Sequence, residues 1–444
     1  MSELIVSRFG GNAAANSAEV KKTLEIIKAD SARRFLVVSA PGSTSENVGV
    51  TDLLYMCYSS CQNNEDYSVM LGAISDRYKE IIDGLEMDFD IDTEILALKK
   101  SLAMGMDIDY IGSRGEYIIA KILAAFLGWE FVDASSIIFF NRDGTPDREK
   151  TFMTADATLK NLDRAVIPSF YGSLPNGKIK TFVRGDCDTA GALVACSVKA
   201  DVFEKWSEDA KIYSADPAVI PNAEIIRNVT YAETIEMNYI GINIVKDSVA
   251  FMLNEFGIPM KICSTHTPEE SIMLITPKLP ENISRGMVAC IAGHNNFTAV
   301  RISKYGMNKV FGLDEKLFGV FSKHRIACQH YLTGIHKMSI ILKDPIFDLR
   351  RDQIINDIKG VASPESITVE KGLSLIAIVG EGMGTVHGTF SKIFDALAKA
   401  DIKVKMVDQG SDDLNIIIGV HDEDYEKAIK ALYHSIVRHE EDWE

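Results

Sequence analysis

The sequence predicts an α/β protein in two parts: a layered domain on a mostly parallel sheet, then two copies of a strand–helix–strand–strand–helix–strand unit. Three observations carry this. Up to about residue 277, apolar β-rich runs alternate with stretches of 3.6-residue periodicity. From Thr276 the segment TPKLPENISRG breaks that rhythm with two prolines and a glycine, and reads as a linker. Beyond it, Gly306, Met307, Gly312, Phe318, Ile326, Gly334 and Ser339 return as Gly382, Met383, Gly388, Phe394, Ile402, Gly410 and Asn415, every pair 76 residues apart. A constant offset across strand, helix and strand means one supersecondary unit written twice, too few copies for a solenoid. The expected domains are 1–280, 290–362 and 370–440.

In chain order, the strand candidates of the first domain are LIVSRF, RFLVVSA, EFVDA, AVIPSF, KTFV, ADVFEKW and PMKICS. Between them, apolar spacing predicts helices over Val20–Ala29, Asp52–Cys61, Tyr110–Leu127, Thr189–Val198 and Val249–Phe256. A chain of 444 residues has room for about three domains and a large core. Its net charge of −16 argues against binding to nucleic acid or to an anionic membrane, so any small anionic substrate must meet local positive sites. No apolar run reaches membrane-spanning length and the N-terminus carries no secretory signal, so the chain is expected in the cytoplasm. Seven cysteines form no CxxC pair and read as structural thiols.

Four segments carry chemistry. In SRFGGNAAANSAE, Gly10 and Gly11 end a strand before a helix whose start Asn16 and Glu19 mark as a capping box. Such a loop suits a phosphate, and a tight strand-to-helix turn would use the glycines equally well. In VVSAPGSTSENVGVTDLLY, Ser39 and Thr51 offer hydroxyls at the C-terminal edge of the sheet, or an ST turn and a cap at a helix starting near Thr51. SRGEYIIAKIL puts Glu116 in the first turn of a strongly apolar helix behind a polar opening. TFVRGDCDTAGALVA supplies Arg184, Asp186 and Asp188; an Arg fork for a carboxylate beside an Asp for an ammonium suits an amino acid zwitterion, and an acidic helix start paired with an Arg is the plainer alternative. Further on, Tyr213 is a candidate for stacking on a base or for the core.

Taken together, Arg8-Phe9-Gly10-Gly11, Ser39-Ala40, Thr51, Ser113-Arg114-Gly115-Glu116, Arg184-Gly185-Asp186-Cys187-Asp188, Trp206-Ser207-Glu208 and Tyr213-Ser214-Ala215-Asp216-Pro217 resemble the motifs of the aspartate kinases of the amino acid kinase superfamily, in the same order. The repeat resembles their tandem ACT domains, above all in IVGEGMGTVHGTFSKIFDALAKADIKVKMVDQGSDDLNIIIGV. The resemblance implies a three-layer α/β/α sandwich followed by two ferredoxin-like ACT domains. It also implies transfer of the γ-phosphoryl of Mg2+-bound ATP to the side-chain carboxylate of L-aspartate, the first step toward lysine, threonine and methionine. On it, Ser39, Thr51, Glu116, Arg184 and Asp188 hold the amino acid; Arg8, Gly10, Gly11 and Asp188 face the transfer; and Ser207, Glu208, Lys211, Tyr213 and Asn243 hold the nucleotide. No side chain is assigned to a resident metal. Paired ACT units imply a lysine or threonine effector and a homo-oligomer, and Asp314 and Glu315 are either contacts for an effector ammonium or a solvated helix start.

The departures from the family pattern cluster on the nucleotide side. Arg8 stands for a Lys, Asn12 and Ala13 for a hydroxyl pair, Asp186 and Cys187 for Gly and Ser, Ser207-Glu208 for Thr-Asp, and Ala218 for a frequent Arg. The family's second Lys is absent from its position within the segment Gly241–Lys246, leaving Lys246 or Lys211 to supply its charge. Three readings fit these residues: a feedback-regulated aspartate kinase, an enzyme of the same fold with another acceptor, and an amino-acid-binding regulatory protein without turnover.

Overall fold

The computed structural model describes residues 3–45, 47–208, 211–269, 273–279, 288–384, 386–410 and 413–437. It divides into two compact units, the first from Met1–Ile212, Ile226–Thr234 and Ile244–Pro280, the second from Tyr213–Ile225, Ile235–Asn243 and Glu281–Glu444. Most of the linker segment lies outside the described residues.

The first unit opens with β1 (Ile5–Phe9), α1 (Ser17–Ala29), β2 (Arg33–Val38) and helices α2 (Val50–Gln62), α3 (Ser68–Gly84), α4 (Ile91–Ala103) and α5 (Ile108–Leu127). It continues through β3 (Glu130–Phe131), α6 (Ala134–Ile137), α7 (Arg148–Leu159), β4 (Ala165–Pro168), β5 (Tyr171–Ser173), β6 (Ile179–Thr181), α8 (Cys187–Ser197) and β7 (Val202–Ser207). It closes with β8 (Asn228–Thr230), the first residues of α9 (Tyr231–Tyr239), whose remainder from Ile235 is counted in the second unit, α10 (Asp247–Glu255), β9 (Met260–Ser264) and β10 (Met273–Thr276). Eight strands form one sheet in the order β3-β4-β2-β1-β7-β9-β10-β8. From β3 to β9 every neighbouring pair is parallel, and β10 runs against β9. Buried parallel strands need cover on both faces. One cover is α1–α5, whose apolar stripes enclose Phe9, Leu36, Val38 and Trp206; the other includes α7, α8 and α10, with α8 against β1 and β7. The sandwich predicted from the sequence is the one observed.

Two local readings change. The KTFV run belongs to a separate antiparallel hairpin, β5–β6, and not to the main sheet. The helices also start earlier than their apolar periodicity indicates, because polar caps begin a helix before its first buried residue. Asn16 caps α1 by accepting from the Glu19 N–H, and Asp107 caps α5 by accepting from the Tyr110 N–H. Only half of the predicted capping box is seen: the Glu19 carboxylate turns to Lys22 instead.

The second unit contains β11 (Cys290–Ser303), α11 (Leu313–Lys323), β12 (His330–Thr333), β13 (Lys337–Lys343), α12 (Asp344–Asp348) and α13 (Arg351–Ala362). Then come β14 (Ser366–Val379), α14 (Thr389–Lys399), β15 (Met406–Gln409), β16 (Asn415–His421) and α15 (Tyr425–Leu432). The repeat is exact where it matters: α11 and α14 begin behind Gly312 and Gly388, both left-handed, at φ 70° and 86°. The six strands make one antiparallel sheet, β12-β13-β11-β14-β16-β15. Its two central strands are 14 residues long. Ala299–Ser303 pair with Ser366–Glu370, while Cys290–His294 pair with Leu375–Val379. Each four-stranded half therefore closes with a strand borrowed from the other repeat. Asp314 and Glu315 are exposed in the first turn of α11, the solvated helix start allowed for above.

Gly241, at φ 93°, has no room for a side chain, since an added Cβ would lie 2.2 Å from Nε2 of His294. Gly241→Ala is expected to lower stability by about 1–3 kcal/mol through backbone strain and displacement of that ring. Urea denaturation of the full chain measures it, and an unchanged midpoint removes the steric requirement.

Candidate active site

The strand order brings the C-terminal ends of β4, β2, β1 and β7 side by side, the edge at which open parallel sheets bind ligands. There Ser169, Ser39, Gly10 and Ser207 follow or end their strands. The loops after β1 and β2 interlock: the Gly42 N–H donates to the Gly11 carbonyl at 2.8 Å. A Cβ on Gly11 would lie 3.0 Å from the Ala40 carbonyl oxygen, and one on Gly42 2.9 Å from the Gly11 carbonyl carbon. Gly11 is thus demanded by backbone packing, whereas Gly10 has ordinary clearance, with 3.4 Å to the Arg8 guanidinium. Buried Arg77 of α3 fastens both loops, donating to the carbonyls of Ala15 at 2.7 Å and Gly42 at 3.2 Å.

β1 and β7 align Arg8 with Lys205 in register, so both side chains leave the same face of the sheet, toward α8. Asp188, in the first turn of α8, lies between them: Oδ1 is 3.2 Å from Arg8 Nε and Oδ2 is 2.9 Å from Lys205 Nζ. All three side chains are largely buried. Burial works against the Asp188 charge, but Arg8 and Lys205 outweigh it and hold the carboxyl below its ordinary range. Lys205 also donates to the Ile244 carbonyl at 3.0 Å. Beside this cluster, the hydroxyl oxygens of Ser39 and Ser169 are 3.2 Å apart, and burial pushes the neighbouring Cys187 thiol up, although Arg8 pulls the other way.

Glu116 is not in a first turn. It sits midway along α5, which starts at Ile108. The glycines around it are packing sites: a Cβ on Gly112 would come within 2.8 Å of the Tyr55 ring, and one on Gly115 within 2.8 Å of Ala40 Cβ. Glu116 is 3% exposed, and burial raises its carboxyl from 4.5 to about 8 despite hydrogen bonding from backbone N–H groups and the pull of Arg114 and Arg8. Its Oε2 is buried without a hydrogen-bond partner among the described residues, whereas Arg8 Nε and Asp188 Oδ1, also without one, meet each other as an ion pair at 3.2 Å. Buried polar atoms in that condition are what a polar ligand would satisfy.

The remaining candidates divide. Arg184 is 60% exposed and pairs with Asp52 at 2.7 Å. Thr51 follows Val50, the first residue of α2, so it lies within the first turn and does not begin the helix. Lys246 pairs with Asp186 at 3.1 Å, so the extra carboxylate of this loop carries its own counter-ion. Asn12, standing where the family has a hydroxyl, donates to exposed Glu208 at 2.8 Å. Ser207 ends β7 and accepts from the Thr265 N–H at 2.9 Å through its carbonyl, and Lys211 is exposed. Tyr213 and Asn243 fall in the second unit, where Tyr213 pairs with Ile225 and the Asn243 side chain donates to the Gly241 carbonyl at 3.4 Å. Sequence reasoning missed Lys205. The available signal was its alternation within VFEKWS, which puts Lys205 on the opposite face from Glu204, whose carboxylate takes Ser7, Arg33 and Trp206.

Among the described residues, no three His, Cys, Asp or Glu side chains gather into a metal-binding group, and no helix is long and apolar enough to cross a membrane. The amino acid kinase family matches residues 3–264 and an ACT domain matches residues 376–436. Aspartokinase 3 of Bacillus subtilis is 29% identical over 444 residues, covering 96% of this chain and 97% of its own. The aspartate kinase of Clostridium acetobutylicum is 35% identical, with a TM-score of 0.90 over 98% of this chain and 100% of its own. Aspartokinase III of Escherichia coli shares the fold at 22% identity, with a TM-score of 0.71 over 98% of this chain and 99% of its own. A sandwich with this parallel order, followed by an interleaved double repeat and matched from end to end, makes the chain a member of the aspartate kinases within the amino acid kinase family.

Proposed function

We propose that the chain transfers the γ-phosphoryl group of ATP to the side-chain carboxylate of L-aspartate, giving 4-phospho-L-aspartate and ADP, under feedback control by an amino acid bound to its ACT region. The observation that carries this is the cluster at the sheet edge: two cations and one carboxylate beside a buried Glu116 with an unsatisfied oxygen. A carboxylate is already a nucleophile, so the chain need only position it and neutralise charge on the transferring group.

Glu116 in its ionised form takes the ammonium of the acceptor, and Arg184 takes its α-carboxylate, with Ser39 and Thr51 supplying hydroxyls. Arg8 and the Gly10–Gly11 backbone meet the phosphoryl group. Asp188, already held by two cations, acts as their counter-ion and not as an open ligand for ammonium. Ser207, Glu208 and Lys211 border the nucleotide. Mg2+ enters with ATP, because it keeps water and phosphate oxygens as ligands, and neutralises phosphate charge when bound. The E. coli relative has been crystallised with aspartate and ADP in one state and with lysine and aspartate in another; for this chain we extend that pattern to a lysine or threonine effector and a homo-oligomeric assembly.

The test is purified protein with Mg-ATP and hydroxylamine, which traps an acyl phosphate as its hydroxamate. Aspartate-dependent hydroxamate with matching ADP release is expected, and lysine or threonine is expected to lower the rate. Hydroxamate with a different acceptor moves the substrate assignment, and amino acid binding with no hydroxamate from any acceptor overturns the reaction.

A further inference from the structure

Resting on that reading, we infer that Lys205, reaching in from the strand beside Arg8, is a second catalytic cation: it meets the transferring phosphoryl group as a compact ammonium while Asp188 holds both cations in place.

The argument is one of charge. Arg8, Lys205 and Asp188 together leave one positive charge in excess, in side chains that are 12%, 18% and 11% exposed. Their neighbour Asp186 does not cancel it, being matched by Lys246. Glu116 does not cancel it either: burial keeps that carboxyl protonated up to about 8 in the free chain, and once ionised it is matched by the acceptor's ammonium. A largely buried excess cation in a chain of net charge −16 is an anion site. Its position at the C-terminal edge of the central strands is where the phosphoryl group must lie.

Geometry then separates the two cations. The planar guanidinium of Arg8 suits a fixed fork, and the ammonium of Lys205 suits a group whose bonds lengthen during transfer, because it is a point charge on a mobile stem. Of its three protons, one goes to Asp188 at 2.9 Å and one to the Ile244 carbonyl at 3.0 Å, which leaves a third to donate. The carbonyl also sets the direction of the amine.

The experiment compares wild type, Lys205→Met and Lys205→Arg by hydroxamate formation, calorimetric titration with Mg-ADP and thermal melting. Lys205→Met is expected to lower kcat about 10²–10³-fold with KM for aspartate within about threefold, and to weaken Mg-ADP binding about tenfold. Lys205→Arg should recover at least tenfold of the lost kcat at an unchanged melting temperature. Wild-type kcat in Lys205→Met overturns the inference, as does a loss that Arg fails to rescue and that tracks a lower melting temperature. Should wild type make no hydroxamate, the proposed reaction fails while Mg-ADP still decides for Lys205: weaker binding in Lys205→Met keeps the assignment and equal binding removes it.

Discussion

Asp188→Asn is expected to destabilise the chain by about 3–5 kcal/mol and to abolish turnover, although the new side chain has the same shape. Among the described residues Asp188 is the carboxylate paired with both Arg8, at 3.2 Å, and Lys205, at 2.9 Å, and its removal leaves two buried cations facing each other. The pair cannot be relieved by deprotonating arginine, so either Lys205 gives up its proton or water enters the cluster. Guanidinium denaturation would screen the effect, so urea at low salt is the measurement to make. The sign with pH follows from the lowered carboxyl of Asp188. Its contribution is present above the ordinary Asp range and is lost as acid titrates the folded carboxyl, so the gap between variant and wild type should close at low pH. A variant as stable as wild type at neutral pH would mean that the cations are not held by this carboxylate.

Acceptor binding is expected to tighten by up to tenfold per pH unit between about 6 and 8, and this dependence should vanish in Glu116→Gln. The fold raises Glu116 from 4.5 to about 8, chiefly by burial. Its contribution to stability is therefore complete below about 4.5 and is lost as pH rises through about 8. An ammonium ligand needs the opposite, ionised form, so its binding at neutral pH must expel a proton. Calorimetric titration with aspartate in two buffers of different ionisation enthalpy reads that proton directly. Equal enthalpies in both buffers, with affinity flat across the range, would assign the ammonium to another group. Glu116→Gln should also flatten the fall in melting temperature between about pH 5 and 8.

Much of this was legible in the sequence, because the features concerned are local. Alternating strand and helix patterns are set within a few residues, and the repeat was legible in its offset, with glycines at 312 and 388 that the structure shows to be left-handed. What was not legible depended on tertiary packing. The polar stretch Ser113–Glu116 read as the entry to a helix, yet it lies inside one, where Tyr55 and Ala40 require the smallness of Gly112 and Gly115. Lys205 looked like one of two adjacent charges, and only the register with Arg8 makes it a site residue. Likewise the offset of the repeat identifies two copies without revealing that each borrows a strand from the other.

That exchange of strands has a consequence during synthesis. Cys290–His294 leave the ribosome with an unpaired edge, and their partners in Leu375–Val379 follow roughly ninety residues later, on the order of ten seconds at usual elongation rates. For that interval the nascent chain displays Cys290, Ile291 and Ala292 as an open strand, the kind of edge that pairs with a neighbouring chain when one is near. By the same arrangement, a chain ending after the first copy would leave the edge of Cys290–Ser303 without the partners that Ser366–Val379 supply.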